Sequence, residues 1–397
     1  MRVALVILHA DPAKGGAERY TFDLAEGLAR RGHEVTLIAS TFGPRPAGVA
    51  CVELGERGVT RLGRYWRFLD ELDRHLDRRT YDVVHAMLPV RRCDVYHPHA
   101  GVAAEAIESG HTKHAGVVKR ELARVGNRVN LKRRAFARVE GELLNGKGPL
   151  PGPPPGYRER GEEAGGGPVV LCLSEYVKGT VRKHYPGLAE DRLATLFNAV
   201  DLKKFDPAKA GTRDRATDAV VGLMVAQDFE RKGLREAIVA LSRVKELPIK
   251  LRVVGRPDPA AYVELARSLG VGESVDFAGP QRDVLGFYAD ADFFVLPTRH
   301  DPCSLVVLEA LAMGVPVIST KQNGACEIMT DGVHGFVLES ADDAEGLVGA
   351  MRAMCDHERR GRMREACLAL RPKLAYDAHL DTLIEIYERA VLRKREP

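Results

Sequence analysis

Short apolar runs alternate with helical stretches along most of the chain. In the first half this pattern predicts a helix at residues 17–31 and strands at residues 2–8, 33–39, 81–86 and 169–173. A second series, which begins near residue 218, predicts helices at 234–247 and 305–313 and strands at residues 219–225, 249–254, 275–277, 293–296 and 315–318. Unbroken apolar strands alternating with helices are typical of parallel sheets covered on both faces. The pattern therefore predicts an α/β protein with two Rossmann-like domains and a polar linker at residues 198–217.

Two segments interrupt this alternation. Apolar residues between 117 and 143 recur at helical spacing, and residues 117–140 hold eight basic and two acidic side chains, a net charge of +6. The rest of the chain then sums to −2, because the whole chain carries +4. In residues 145–168, 14 of 24 residues are Gly or Pro, which favours a loop. The first segment is therefore predicted to be a basic amphipathic helix and the second an irregular loop.

The composition is that of a globular protein. The chain has 397 residues, of which 45% are apolar and 29% charged, enough for two domains. Its seven cysteines are odd in number and widely spaced, without a C-x-x-C, which argues against disulfides and structural zinc. We expect a reducing, cytoplasmic setting. No apolar run approaches the ~20 residues of a membrane span, and the apolar start favours a first strand over a signal peptide.

Two strand-to-helix turns carry groups that suit phosphates. Gly15 and Gly16 lie where the first predicted strand turns into a helix, so backbone N–H groups there can approach an anion. A plain tight turn is the simpler interpretation of that pair. Arg231 and Lys232 follow the first strand of the second domain, where two cations suit a pyrophosphate. A solvated basic turn is the alternative, but ligands of parallel sheets bind beyond the carboxyl ends of strands.

A third stretch, residues 297–314, places two carboxylates around the start of a helix. Asp301 precedes the predicted helix and Glu309 lies inside it. Ser304 is a candidate N-cap, so amides near Leu305 are positioned to receive a phosphate. Glu309 lies a turn or more further on, where a carboxylate can accept two ribose hydroxyls. The alternative is that Asp301 caps the helix and Glu309 is merely exposed.

These stretches together resemble the retaining glycosyltransferases of family 4, which have the GT-B fold. Several linked motifs appear in the family's order: its E-x7-E element as Asp301…Glu309, its GG-x-E-R opening at residues 15–19, its NGVD…F linker at 197–201 with Phe205, and its GG-x-x-E…DG-x-x-G-F stretch at 324–336. The resemblance implies two Rossmann-like domains facing a cleft. Residues 1–200 would bind the acceptor and 201–375 the nucleotide-sugar donor, with a helix at 376–397 packing back on the N-terminal domain.

The resemblance also implies roles for single residues. Arg231 and Lys232 would stabilise the leaving diphosphate without a metal, and Asp301 would hold the donor sugar, although the family has Glu there. His99 would contact donor or acceptor sugar. The expected donor-binding residues are Gly15, Gly16, Gly255, Gln281, Ser304, Leu305, Val306 and Glu309. Alanine at Arg231 or Lys232 is expected to depress turnover far more than folding. No cofactor is expected beyond the nucleotide sugar.

Within the family, residues 228–233, 94–96 and the basic stretch are most similar to lipopolysaccharide core glucosyltransferases acting on the first heptose. That implies a UDP-glucose donor, a membrane-held cell-envelope glycolipid acceptor, and an enzyme at the inner face of the cytoplasmic membrane. The basic stretch would meet acceptor or anionic lipid, rather than nucleic acid, through Arg120, Arg124, Arg128, Lys132, Arg133 and Arg134.

Several alternatives remain open. Residues 290–292 match a D-x-D metal motif, although a structural role fits their place between a short helix and a strand. His97 and His99, with His111 and His114 nearby, resemble a metal cluster that lacks a completing cysteine or carboxylate. Four other functions remain open beside the glucosyltransferase: a sugar-nucleotide epimerase, a mannosyl or N-acetylhexosaminyl transferase, a NAD-binding dehydrogenase and a non-catalytic binding protein. The dehydrogenase lacks a G-x-G-x-x-G fingerprint.

Overall fold

The computed structural model describes residues 1–55, 58–99, 101–108, 130–145, 167–209 and 219–394. These residues divide into two compact units. Residues up to Phe197, together with His379 and those after it, form the first unit, and residues from Asn198 to Ala378 form the second. Within the described ranges, no helix combines the length and the apolar character needed to cross a membrane.

The first unit is built on a parallel sheet. Its strands are β1 (Arg2–Val6), β2 (His9–Ala10), β3 (Glu34–Ala39), β4 (Thr41–Phe42), β5 (Ala50–Glu53), β6 (Val83–Ala86), β7 (Val95–Tyr96), β8 (Val169–Cys172) and β9 (Leu193–Thr195). Seven of them pair in the order β5-β3-β1-β6-β7-β8-β9, and β2 pairs with β4 separately. The predicted strands at 2–8, 33–39, 81–86 and 169–173 are confirmed, because their apolar side chains are buried between helices.

The helices described in this unit are α1 (Gly16–Arg30), α2 (Arg61–Arg78), α3 (Ala103–Glu108), α4 (Leu131–Asn145) and α5 (Glu175–His184). Helix α2 is absent from the sequence prediction because its buried stripe is narrow. Only Tyr65, Phe68, Leu69 and Leu72 are buried in it, among many charged residues. Thr60 caps its first turn by accepting a hydrogen bond from the amide of Gly63, 3.0 Å away.

The second unit contains a six-stranded parallel sheet in the order β12-β11-β10-β13-β14-β15. The strands are β10 (Val220–Val225), β11 (Ile249–Val254), β12 (Val275–Gly279), β13 (Phe293–Leu296), β14 (Val317–Thr320) and β15 (Gly335–Leu338). The predicted strand at 315–318 therefore begins and ends two residues later. Strand β15 is absent from the prediction because it is short and begins with glycine.

The helices of the second unit are α6 (Leu234–Ser242), α7 (Ala260–Ser268), α8 (Leu285–Asp290), α9 (Leu305–Ala312), α10 (Ala344–Ala353), α11 (His357–Ala369) and α12 (Arg371–Leu374). Helix α6 is shorter than the predicted helix at 234–247, because the chain leaves the helix in turns after Ser242. The last helix is α13 (Tyr376–Arg393), which belongs to the first unit from His379 onward. There it buries Leu383, Ile386 and Tyr387.

Candidate active site

The turn after β10 brings two adjacent cations to the carboxyl end of the second sheet. Asp228 holds the turn, because its Oδ1 accepts a hydrogen bond from the Arg231 amide at 3.1 Å. Gly233 ends it with φ +80°, and a Cβ there would overlap the carbonyl oxygen of Pro297. The backbone is therefore held tightly against the neighbouring strand, so the directions of the Arg231 and Lys232 side chains are fixed.

Lys232 and Asp301 form a buried ion pair. The ammonium of Lys232 contacts Asp301 Oδ2, and both side chains are about 10% exposed. Burial alone would raise the pKa of Asp301, but the positive charges of Lys232 and Arg231 outweigh it and hold that pKa below its usual value. Burial also lowers the pKa of Lys232, against the charge of Asp301. The predicted site residues Lys232 and Asp301 thus meet directly.

Arg231 occupies a more open environment than its neighbour. Its side chain is 26% exposed, and its Nη1 lies 4.0 Å from Asp301 Oδ2. That nitrogen donates to the His300 carbonyl at 2.7 Å, while Nε donates to Asp228 Oδ2 at 3.3 Å. Arg231 is therefore the cation of the pair that is better placed to reach a ligand.

Ser304 occupies the N-cap position of α9, as predicted, but its hydroxyl does not cap the helix. Among the described residues, this buried hydroxyl has no hydrogen-bond partner. Asn323 caps the short 3-10 helix Gly324–Ile328, because its Oδ1 accepts from the amide of Ala325 at 3.2 Å, and the same oxygen accepts from the amide of Ser304 at 3.2 Å. Asn323 directly precedes the motif predicted at 324–336 and was not among the predicted site residues. Its role depends on the pairing of its loop with Asp301, which sequence spacing does not show.

Glu309 is half-buried on α9, and its Oε2 accepts a hydrogen bond from the Tyr288 hydroxyl at 2.8 Å. The alternative interpretation, in which Glu309 is merely exposed, is therefore wrong. Tyr288 is fully buried and was not among the predicted site residues, because an isolated tyrosine in a short helix gives no sequence signal. Leu305 and Val306 form the first turn of the same helix.

The remaining predicted donor residues of this unit lie after β11 and β12. Gly255 is buried, and a Cβ there would overlap the Ala226 carbonyl oxygen and lie 2.7 Å from Phe229 Cε1. Only glycine therefore fits at this close approach. Gln281 is exposed and donates from Nε2 to the Ala278 carbonyl at 2.7 Å.

In the first unit, Gly15 is the N-cap of α1 and Gly16 is its first residue. The φ of Gly15 is −175°, an extended conformation open to any residue, so backbone geometry does not require glycine here. A Cβ at Gly15 would lie 2.7 Å from Glu18 Oε2, the end of a flexible side chain that can move aside, so space does not require glycine either. The carboxylate of Glu18 thus lies close to the turn that was predicted to receive phosphate.

His99 is buried in an aromatic cluster of the first unit. Its ring centroid lies 4.8 Å from that of Tyr20 and 5.0 Å from that of His97. Among the described residues, only Glu105, Glu108 and His184 have the spacing of a three-ligand metal group. The Lys183 ammonium bonds both of those carboxylates, at 3.0 and 2.9 Å. His97 and His99 form no such group there, and His111 and His114 lie outside the described ranges.

Glu140 on α4 fixes the segment that carries His99. Its fully buried carboxylate accepts hydrogen bonds from the hydroxyls of Tyr96 at 2.6 Å and Tyr185 at 2.9 Å. It also accepts from the amides of Ala103 at 3.0 Å and Ala104 at 3.1 Å, at the start of α3. Residues before and after His99 in the chain are therefore hydrogen-bonded to the same side chain, that of Glu140. In the sequence, Glu140 was considered only as one of the two acidic residues of the basic stretch at 117–140.

The predicted basic helix is described in part. Arg120, Arg124 and Arg128 lie outside the described residues. The remaining three predicted side chains, Lys132, Arg133 and Arg134, lie on the first turn of α4. Arg134 is exposed, while Arg133 donates to the Ala106 carbonyl at 3.2 Å. The loop predicted at residues 145–168 also lies largely outside the described ranges.

The D-x-D stretch is structural. Asp292 is buried, where its Oδ2 accepts from the Val221 amide at 2.9 Å and its Oδ1 lies 3.3 Å from Arg360 Nε. Asp290 Oδ2 lies 3.4 Å from Arg252 Nη1. These contacts join the stretch between α8 and β13 to neighbouring elements, which is the structural role that its position predicts.

Comparison with known proteins adds independent evidence. The model described as Glycosyltransferase Family 4 matches residues 14–204, and that described as Glycosyl transferases group 1 matches residues 219–357. The lipopolysaccharide core biosynthesis glycosyltransferase LpsE of Rhizobium meliloti (strain 1021) is 35% identical over 153 residues, 38% of this chain and 44% of that protein. The lipopolysaccharide glucosyltransferase WaaG of Escherichia coli (strain K12) is 24% identical over 85% of both chains.

A D-inositol 3-phosphate glycosyltransferase of Xylanimonas cellulosilytica is 25% identical over 99% of this chain and 98% of its own. The crystal structure of WaaG, a glycosyltransferase involved in lipopolysaccharide biosynthesis, superposes with a TM-score of 0.73 at 22% identity. That match covers 97% of this chain and 99% of the WaaG chain.

Two parallel α/β sheets, with this match in fold, define the GT-B fold. The two family models follow one another along most of the chain. The protein belongs to the family 4 glycosyltransferases, as its motifs predicted.

Proposed function

We propose that this enzyme is a retaining transferase that moves glucose from UDP-glucose to a membrane-held cell-envelope glycolipid such as lipopolysaccharide core. The observation that carries the proposal is the grouping of Arg231, Lys232 and Asp301 beside the first turn of α9. Ser304, whose buried hydroxyl has no hydrogen-bond partner within the described part of the chain, belongs to the same grouping. The names of LpsE and WaaG support the acceptor class.

In this proposal the enzyme accelerates transfer by holding positive charge next to the leaving diphosphate. The bond between the sugar's anomeric carbon and the diphosphate oxygen breaks, and negative charge develops on that oxygen. Arg231 and the helix N-terminus at Ser304 stabilise it, a preorganised electrostatic effect that needs no metal. The acceptor hydroxyl attacks from the same face and gives its proton to the leaving phosphate. Asp301 holds donor-sugar hydroxyls, and Glu309 holds the ribose.

Replacing Arg231 with alanine is expected to lower kcat/KM about 10²–10³-fold, the loss typical of one transition-state donor. The free energy of unfolding should fall by only about 1 kcal/mol, because the side chain is partly exposed. Arg231→Lys should recover part of the activity, since lysine keeps the charge but cannot bind two oxygens as a fork. Steady-state kinetics and denaturant unfolding measure both quantities. If Arg231→Ala keeps the kcat/KM of the unmodified protein, Arg231 does not stabilise the leaving diphosphate.

A donor screen tests the proposed function. Purified protein is given UDP-glucose, UDP-galactose, UDP-N-acetylglucosamine or GDP-mannose with an extracted lipopolysaccharide core acceptor, and product is measured with and without EDTA. We expect UDP-glucose to be preferred, EDTA to leave the rate unchanged and the anomeric configuration to be retained. Preference for another sugar would replace the donor assignment. NAD binding in place of any transfer would reject the proposal.

A further inference from the structure

Glu309 is the one polar side chain of helix α9, whose other seven residues are apolar. It is half-buried, and taking a carboxylate out of water costs free energy unless other groups bind it. The Tyr288 hydroxyl on α8 is such a group, since it donates to Glu309 Oε2 at 2.8 Å. A carboxylate in an otherwise apolar helix contributes little to packing, which favours a role in ligand binding.

The hydroxyl of Tyr288 is held in place by the surroundings of its ring. The ring is fully buried, edge-on to that of Phe205 with centroids 5.9 Å apart and tilted against that of Phe294 at 6.0 Å. Its oxygen also lies 3.1 Å from the Val306 carbonyl oxygen, in the first turn of α9. This packing fixes the position of the donor, and a hydrogen bond from a fixed donor selects one rotamer of Glu309.

A carboxylate held in this way can bind ribose more tightly than a mobile one. An ionised carboxylate has about four lone-pair directions, and the phenol of Tyr288 uses one of them. Ribose presents two neighbouring hydroxyls, both of which donate hydrogen bonds to such an acceptor. If the carboxylate were mobile, binding would have to immobilise it first, which weakens affinity. Because the rotamer is already selected, that cost is paid during folding.

We infer that Tyr288 is a positioning residue for the nucleotide. Its phenol holds the Glu309 carboxylate in the rotamer that accepts the ribose hydroxyls, so the hydrogen bond between them strengthens the preference for ribonucleoside diphosphates over dideoxy analogues. This role rests on the ribose contact proposed above for Glu309. It assigns a binding function to a side chain outside the predicted donor motifs, one that acts through Glu309.

Isothermal titration calorimetry on the full-length protein tests this role with UDP and 2′,3′-dideoxy-UDP, which lacks both ribose hydroxyls. Two hydrogen bonds to a charged group should make the unmodified protein prefer UDP at least about 100-fold. Tyr288→Phe keeps the ring and removes the hydroxyl. It should lower this preference about fivefold, the cost typical of immobilising one side chain.

Two further variants show whether Tyr288 acts through Glu309. Glu309→Ala should abolish most of the preference for UDP, and adding Tyr288→Phe to it should change the remaining preference less than about twofold, because the carboxylate that the phenol positions is gone. The matched control is Tyr65→Phe in the first unit. Tyr65 is also fully buried, and its hydroxyl donates to the Pro89 carbonyl at 2.7 Å, so this variant loses a comparable hydrogen bond and should keep the full preference.

The outcomes separate this role from the proposed function. Unchanged melting by circular dichroism establishes that the variants fold. If Tyr288→Phe weakens the binding of UDP and 2′,3′-dideoxy-UDP equally, its hydroxyl supports only the fold, and the ribose contact of Glu309 stands without it. If Glu309→Ala keeps the full preference for UDP, the ribose contact and the role of Tyr288 are both rejected, while glucose transfer is still decided by the donor screen. An equal fivefold loss from Tyr288→Phe with and without Glu309 would also overturn the inference.

Discussion

Replacing Lys232 with alanine is expected to lower the free energy of unfolding of the second unit by about 3–5 kcal/mol and to leave no measurable transfer. The reason is the buried ion pair. Removing the ammonium leaves the carboxylate of Asp301 buried without its main counter-charge, which is strongly destabilising. Circular dichroism in denaturant gives the stability, and product formation at saturating donor gives the activity.

A double variant separates the two effects. Lys232→Met with Asp301→Asn removes both charges together, so most of the lost stability should return. Transfer should stay absent, because the Asp301 carboxylate that is proposed to hold the donor sugar is gone. If Lys232→Ala unfolds at the same denaturant concentration as the unmodified protein, the ion pair contributes nothing to folding. If the double variant recovers transfer, neither charge acts in the reaction.

This outcome revises an expectation drawn from the sequence, that alanine at either cation would affect turnover far more than folding. For Arg231 the structure supports that expectation, since its side chain is partly exposed. Lys232 differs because the turn directs it inward against Asp301. Which of two adjacent cations becomes buried depends on the backbone path at Gly233 and Pro297. That backbone path cannot be predicted from the composition of the sequence or from the spacing of its residues.

The larger pattern was predictable for a simple reason. Parallel strands buried on both faces must be continuously apolar, so β10, β11 and β13 stand out in the sequence, and linked family motifs identify the class. Contacts between distant segments were not predictable. Glu140 and Tyr96 are far apart in the chain, as are Tyr65 and Phe136, whose rings stack, and neither pair has a periodic pattern that reveals its proximity. Those contacts arise only when the helices pack on the first sheet.

Two buried histidines of the first unit, His85 and His379, give the second large effect: through them, lowering the pH from 7 to 5 is expected to reduce its free energy of unfolding by about 4 kcal/mol. Burial lowers the pKa of His85 to about 3 and that of His379 to about 4. In the unfolded chain both titrate near 6.5, so the unfolded state binds more protons below that pH. The loss therefore begins near pH 6.5, grows as pH falls and levels off near the folded values. Each ring contributes about 2 kcal/mol by pH 5.

The contacts explain why these rings stay neutral. His379 Nδ1 donates to the Phe197 carbonyl at 2.8 Å, so its Nε2 accepts from the Tyr20 hydroxyl, also at 2.8 Å. His85 Nδ1 lies 2.7 Å from the Tyr387 hydroxyl, and its ring stacks on that of His97, whose pKa burial also lowers. The groups facing these rings are thus tyrosines and other histidines.

Trp66 makes the first unit measurable by itself, because it is the single tryptophan of the chain and lies in α2. Urea unfolding followed by its fluorescence at pH 7 and 5 gives the two free energies. His379→Gln and His85→Gln should each reduce the pH-dependent loss by about 2 kcal/mol. His357→Gln, at an exposed position of the second unit, should leave it unchanged. Buried carboxyls such as Glu140 respond with the opposite sign, since burial raises the pKa of Glu140, so the difference between variants isolates the histidines. An equal loss in all three variants would show that the buried histidines do not control acid stability.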